Sequence, residues 1–276
     1  MPIFAIIITS IFEQKPFMVN LRAACSKYLG KYLSYFMERN INTPGELRFI
    51  YLFACLPVFL ILIGTKLLLI NHHFVMLIIN LCLFMLSVQI LTWKEEAKNE
   101  YAADKRSFVN TYATRFFAPL FWFLVLPSAI GSICYLIIIH LSTELKAKNL
   151  DTMIYNHVVD KMLFYANIVP YTILFMFISL AGNFEEVTHY LLEQKKHFSK
   201  SFYFLESMLN QIVLIAIGKD KFQIDEIRYA DKEVEASILN DERFTPEITA
   251  YIVAILYRAG LFFIGIVALI SIAALF

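Results

Sequence analysis

The residues with the greatest chemical potential lie in one run, F-E-E-V-T-H-Y-L-L-E-Q-K-K-H, where Glu186, His189, Glu193 and His197 follow at spacings of three, four and four. On an α-helix that spacing puts all four on one face. Glu-x-x-His is the spacing of carboxylate-bridged metal sites in helix bundles, but those sites need a second such helix. The chain has no other Glu-x-x-His or His-x-x-Glu, and Lys195 and Lys196 interrupt the set. A solvated charged face is therefore the preferred reading, and no metal is expected.

The other histidines are weaker candidates. His72-His73 could bind a metal as a pair or sense pH. A short polar turn between two apolar runs explains them equally well and is preferred. His140 and His157 bracket a polar connection, and either reading stays open. Within the apolar runs the polar residues are Asn80, Gln89 and Asn167, with Lys66 only near an end. No acid lies mid-run, which argues against a proton-coupled transporter or an ion pump. Hydrogen bonds between helices are the expected role of the three amides. There is no G-x-S-x-G, H-E-x-x-H or phosphate-binding glycine loop. These absences favour a protein without catalysis or cofactor.

The elements that would carry these residues are set by composition. The 276-residue chain is 59% hydrophobic and 17% charged, with mean hydropathy +0.63. A soluble domain is closer to half apolar and a quarter charged. The excess is gathered into runs of the length a bilayer demands, about 20 residues per helix. The net charge of +1 gives no field for nucleic acid. Cys25, Cys55, Cys82 and Cys134 are far apart and three lie in apolar runs, so they read as apolar filler rather than a disulfide or metal framework.

The expected fold is an all-α integral membrane protein with five transmembrane helices, a short N-terminal apolar helix and amphipathic helices outside the membrane. Residues 1–12 are apolar without a basic leader or small-x-small cleavage site, so they read as an embedded or interfacial helix, and whether they span stays open. Residues 13–48 complete an N-terminal segment. Its amphipathic helix places Met18, Leu21, Cys25, Tyr28, Leu29, Tyr32 and Phe36 on one side. It could lie in the headgroup layer or simply pack on the protein. Asn42-Thr43-Pro44-Gly45 breaks that helix.

Four spans are expected over 49–181, at 49–70, 74–93, 116–140 and 162–181. The first should bend at Pro57 and form a helical hairpin with the second. The charged stretch 94–114 reads as a helix that continues past the membrane. The third span is entered by T-R-F-F-A-P-L-F-W-F-L-V-L-P, residues 114–127. There Arg115 stays with the headgroups, aromatics line the interface and Pro119 falls in the first helical turn. Pro127 and Gly131 suggest a kink within it. Leu141–Asp160 is a polar connection. In the fourth span, Asn167 of N-I-V-P can reoccupy backbone groups that Pro170 frees, or bond a neighbouring helix. Residues 182–256 form the largest region outside the membrane, with eight Lys/Arg against thirteen Asp/Glu, and Ser201–Ile217 reads as a packed helix within it. Residues 257–276 are the final span.

Lys and Arg are concentrated in 13–48, 94–115 and 183–256, with none at 71–73 and two at 141–160. By the positive-inside rule the rich segments are cytoplasmic and the C-terminus is external. The partners expected are the lipid bilayer and a protein met by the cytoplasmic face.

Several short stretches resemble the AmpE family of bacterial inner-membrane proteins. They are R-F-F-A-P-L-F-W-F-L-V from Arg115 to Val125 (with Ala118 and Pro119), N-I-V-P at 167–170, L-A-G ending at Gly182, R-F-T-P-E-I-T-A at 243–250 and I-F-E at 11–13. The likeness runs nearly the length of the chain. It implies a regulatory or signalling membrane protein linked to induction of chromosomal β-lactamase and to cell-wall recycling. AmpE is similar in turn to the CobD/CbiB membrane synthetases, which form an amide on a corrinoid carboxylate. L-D-T-M at 150–153, with Asp151, and A-P-L-F resemble motifs of those enzymes. Their acidic E-N-T-x-D-G has no counterpart here, since Asn110 and Thr114 stand at the acid positions. The resemblance thus implies the fold without carboxylates that could act as bases or metal ligands. A synthetase of that type and a structural subunit of an envelope complex are the alternative expectations.

Overall fold

The computed structural model describes residues 9, 13, 15–37, 44–68, 71–89, 106–126, 129–147, 153–195, 199–218 and 246–273. The expectations for the opening apolar residues, for the charged stretch 94–105, for Pro127, Asp151 and His197, and for 219–245 lie outside them.

The described residues are all helical apart from short turns and caps. In chain order the helices are α1 (Pro16–Met37), α2 (Pro44–Leu68), α3 (His73–Ser87), α4 (Arg106–Thr111), a π-helix (Tyr112–Phe117), α5 (Ala118–Val125), α6 (Ile130–Ala147), α7 (Met153–Ala181), α8 (Phe184–Gln194), α9 (Phe202–Ile217) and α10 (Pro246–Ala273). Among the described residues, three stretches are long and apolar enough to cross a bilayer: Gly45–Leu68, His157–Ala181 and Ile248–Ile270.

The other two expected spans differ in form. The second is the 15-residue helix α3, about 22 Å long and short of a hydrocarbon core of about 30 Å. The third is divided. Its helix starts before Arg115, runs through the π-helix, and ends at Val125, with α6 beginning at Ile130. Pro119 therefore does not open a helix but sits second in α5, directly after the widened turn. A proline ring inside a helix has no N–H to give and crowds the preceding turn, and a π-helix loosens that turn. The polar connection 141–160 is also shorter than its composition suggests, because α6 extends to Ala147 and α7 begins at Met153.

The chain divides into two compact units. The first comprises Met1–Ile90 and Ala118–Pro170. Its hub is α6, against which α1, α2, α3 and α5 all pack. Thus α2 and α3 meet chiefly on α6 rather than as an isolated hairpin. The hub buries Ile130, Tyr135, Ile137, Leu141 and Leu145 together with the small Ser132 and Ser142. Small side chains let helices approach closely in an apolar setting.

The second unit comprises Leu91–Phe117 and Tyr171–Phe276. Its hub is α9, which packs on α4, α8 and α10. Phe202, Leu205, Leu209, Ile212 and Val213 of α9 are all buried. This helix is apolar on most sides because it is covered by neighbours.

Candidate functional site

Within the first unit, buried polar groups join the helices at defined points. Asn167 accepts from the Tyr135 hydroxyl at 2.7 Å and donates to the Leu163 carbonyl at 2.8 Å. It is fully buried, and these two bonds reach one neighbouring helix and its own preceding turn. The backbone group that Pro170 frees is the carbonyl of Ala166, four residues earlier. Its partner is the indole of Trp122, which donates to it at 3.0 Å. Asn80 bonds a neighbour as well: its Oδ1 accepts from the Ala129 amide at 3.3 Å, at the entrance to α6. Tyr51 of α2 shares a 2.8 Å hydrogen bond with Ser142 of α6.

Arg22 of α1 is bonded at several points at once. Its guanidinium donates to the Met85 carbonyl at 3.1 and 2.7 Å, to the Val88 carbonyl at 2.6 Å and to Glu13 at 2.9 Å. The two carbonyls belong to the end of α3, where a helix leaves acceptors unmatched and favours a cation. Glu13 is buried, so the ion pair is withdrawn from water on the acid's side. Arg22 is not among the residues expected from the sequence to carry a site. The available signal was its place on the apolar stripe, four residues after Met18 and three before Cys25, where a cation needs a partner.

In the second unit the chain passes from α7 to α8 through Gly182 and Asn183. The Asn183 amide donates to the Ala216 carbonyl at 3.0 Å, and its side chain accepts from the Glu186 amide at 3.3 Å, capping α8. A Cβ on Gly182 would collide with the carbonyl and side chain of Ala216. Here only glycine fits.

On α8, His189 and Glu193 form the expected i,i+4 pair at 3.7 Å, with both side chains open to solvent. Glu186 is half-buried one turn earlier. Among the described residues no three His, Cys, Asp or Glu side chains gather as a metal site. His72 is exposed in the turn before α3 and His73 opens that helix. His140 lies half-buried on α6, and His157 is exposed near the start of α7. Gln89 follows α3 and Lys66 is exposed in the last turn of α2.

The wide turn contains Arg115, exposed, and Tyr112, buried. The Tyr112 hydroxyl donates to the Leu256 carbonyl of α10 at 2.8 Å, and burial pushes its phenol pKa up. It reaches that carbonyl past Gly260, where a Cβ would lie 2.8 Å from the phenol oxygen. Thr114 donates to the Asn110 carbonyl at 2.7 Å. The Asn110 Oδ1 is enclosed without a hydrogen-bond partner among the described residues. No Asp or Glu occurs from Arg106 to Phe117, so this turn offers amide, hydroxyl and guanidinium groups but no general base.

No family model, curated protein or solved structure matches the chain.

The buried polar contacts of the first unit belong to helix association. Ala118 and Pro119 are buried in α5, Asn167 and Pro170 hold the middle of α7 against its neighbours, and Gly182 permits the crossing of α9. Among the resembling residues, Ala118, Pro119, Asn167, Pro170 and Gly182 lie at packing positions, while Arg115, Val125, Val169 and Leu180 are exposed.

Proposed function

We propose that the chain is an AmpE-like regulatory protein of the bacterial inner membrane, spanning it five times and acting through a cytoplasmic protein partner rather than through chemistry of its own. The supporting observation is the outward apolar surface of the long helices. On α2, Leu52, Phe53, Leu60, Ile61, Leu67 and Leu68 are exposed, and on α10 Leu261, Phe262, Leu269 and Ile270 are exposed. Contiguous exposed apolar surface of this kind calls for lipid or a partner. Tyr51, Asn80, Trp122, Tyr135, Ser142 and Asn167 are engaged in bonds between helices, which suits a framework more than a transport path.

The two shorter helical regions, α3 and α5 with α6, complete the five crossings in this reading. The link to β-lactamase induction rests on the resemblance at 115–125, 167–170, 180–182 and 243–250. Two experiments test the proposal. Alkaline phosphatase fused after Phe276 should be active, and the same reporter fused after Leu192 inactive; the reverse pattern overturns the topology. Deletion of the coding region in its host should alter the induction of chromosomal β-lactamase by a β-lactam. Unchanged induction overturns the regulatory assignment while leaving the membrane topology standing.

A further inference from the structure

Helix α1 bridges two others. Arg22 is bonded at the end of α3, and ten residues on, the Tyr32 hydroxyl donates to the Ala54 carbonyl of α2 at 3.0 Å. These attachments are about 15 Å apart along α1. Met18 and Leu33 are buried on the same side. This attachment corrects the face expected from sequence: Tyr28, placed there with Met18 and Cys25, points away.

The opposite face is open. Phe17, Ala24, Tyr28 and Tyr35 are exposed along one line, since steps of seven and four residues return to nearly the same angle on a helix. Phe17 is 69%, Tyr28 70% and Tyr35 63% exposed. Lys27 and Lys31 are exposed along one border of that line. The helix contains no Asp or Glu anywhere in its sequence. An aromatic stripe bordered by lysines, on a helix whose single arginine is spent on internal bonds, is complementary to a layer that is apolar below and anionic above. Tyrosine and lysine both place an apolar stem inward and a polar tip outward.

We propose that this face of α1 lies on the headgroup layer of an anionic bilayer, with Phe17, Tyr28 and Tyr35 at the acyl boundary and Lys27 and Lys31 on lipid phosphates. The proposal rests on the membrane reading above and adds the lipid class that the surface selects. The binding is reversible, electrostatic and interfacial rather than spanning, as for amphipathic helices with a basic border.

The test uses the full chain with Cys25, Cys55, Cys82 and Cys134 replaced by alanine and one nitroxide label, either at Ala24→Cys on the outer face of α1 or at Leu60→Cys on the exposed side of α2. Collision with oxygen and with an aqueous nickel chelate reports depth in vesicles of phosphatidylcholine alone or mixed with phosphatidylglycerol. The expected result is a Leu60 label in hydrocarbon in both lipids. The Ala24 label should be at headgroup depth with phosphatidylglycerol and move into water with phosphatidylcholine, in high salt or in the Lys27→Gln/Lys31→Gln variant. An Ala24 label that is aqueous in phosphatidylglycerol vesicles, or whose depth ignores lipid charge, overturns the inference while a buried Leu60 label keeps the membrane reading. Aqueous labels at both sites overturn both.

Discussion

The indole nitrogen of Trp122 donates to the carbonyl of Ala166 at 3.0 Å, and that is the carbonyl left without its helical partner by Pro170. Two residues 48 positions apart in sequence are thus complementary: one creates a vacancy in α7 and the other fills it from α5. Trp122→Phe should destabilise the protein by about 1 kcal/mol, the cost of leaving a part-buried acceptor unsatisfied. Pro170→Ala restores an N–H four residues beyond Ala166, so the double variant should recover most of that loss. Thermal unfolding in detergent of the four proteins forms the cycle. A Trp122→Phe loss of the same size with or without Pro170 would show that the indole contributes packing alone.

Arg22 and Glu13 should behave as a unit. Arg22→Met leaves Glu13 buried without its cation and two carbonyls of α3 without their donor. Breaking one side of a buried pair costs about 3–5 kcal/mol. Arg22→Met with Glu13→Gln should cost clearly less than the sum of the single changes, read from the same unfolding assay.

Gly182→Ala forces a methyl group onto backbone atoms of Ala216 that cannot rotate away. A loss of about 3 kcal/mol is expected, at the upper end for an overpacked site. Asn183→Ala removes only the side-chain cap of α8 and should cost about 1 kcal/mol. Size-exclusion profiles of fluorescent fusions before and after heating would rank the two, and Asn183→Ala proving the more damaging would contradict the close crossing.

Tyr112 carries a pH signature. Its phenol has an ordinary pKa of 10.0 and is raised in the folded chain by burial. Below pH 10 the phenol is protonated in both folded and unfolded chains, so ionisation adds nothing. As pH rises above 10 the unfolded chain sheds this proton while the folded chain holds it, so stability is lost. Tyr112→Phe should cost about 1 kcal/mol at neutral pH from the lost hydrogen bond. Its stability should then fall less steeply than the parent's above pH 10. Gly260→Ala, which presses on the same oxygen, should be partly rescued by Tyr112→Phe, whereas independent effects would simply add.

Much of the architecture was legible from residue order. The long apolar stretches Gly45–Leu68, His157–Ala181 and Ile248–Ile270 are visible as hydropathy alone, because length and composition define them without reference to any neighbour. The helix at 202–217 could be read as a packed one from Glu206, Asn210 and Gln211 interrupting its apolar run. The amides Asn80 and Asn167 could be read as interhelical donors and acceptors, since an amide in an apolar run needs a partner. Their partners could not be named. The solvated His189–Glu193 pair was equally legible from its i,i+4 spacing.

What residue order determined, then, is which segments are helical and apolar, since these depend on composition and on periodicities a few residues long. Tertiary structure alone decided where the helices stop and what each polar group meets. The close of α3 is fixed by an arginine more than 60 residues earlier, the widened turn precedes a proline inside a longer helix, and the vacancy at Ala166 is filled by Trp122. Each depends on atoms brought together from distant positions, and a hydrogen bond requires a distance and a direction that local pattern does not contain.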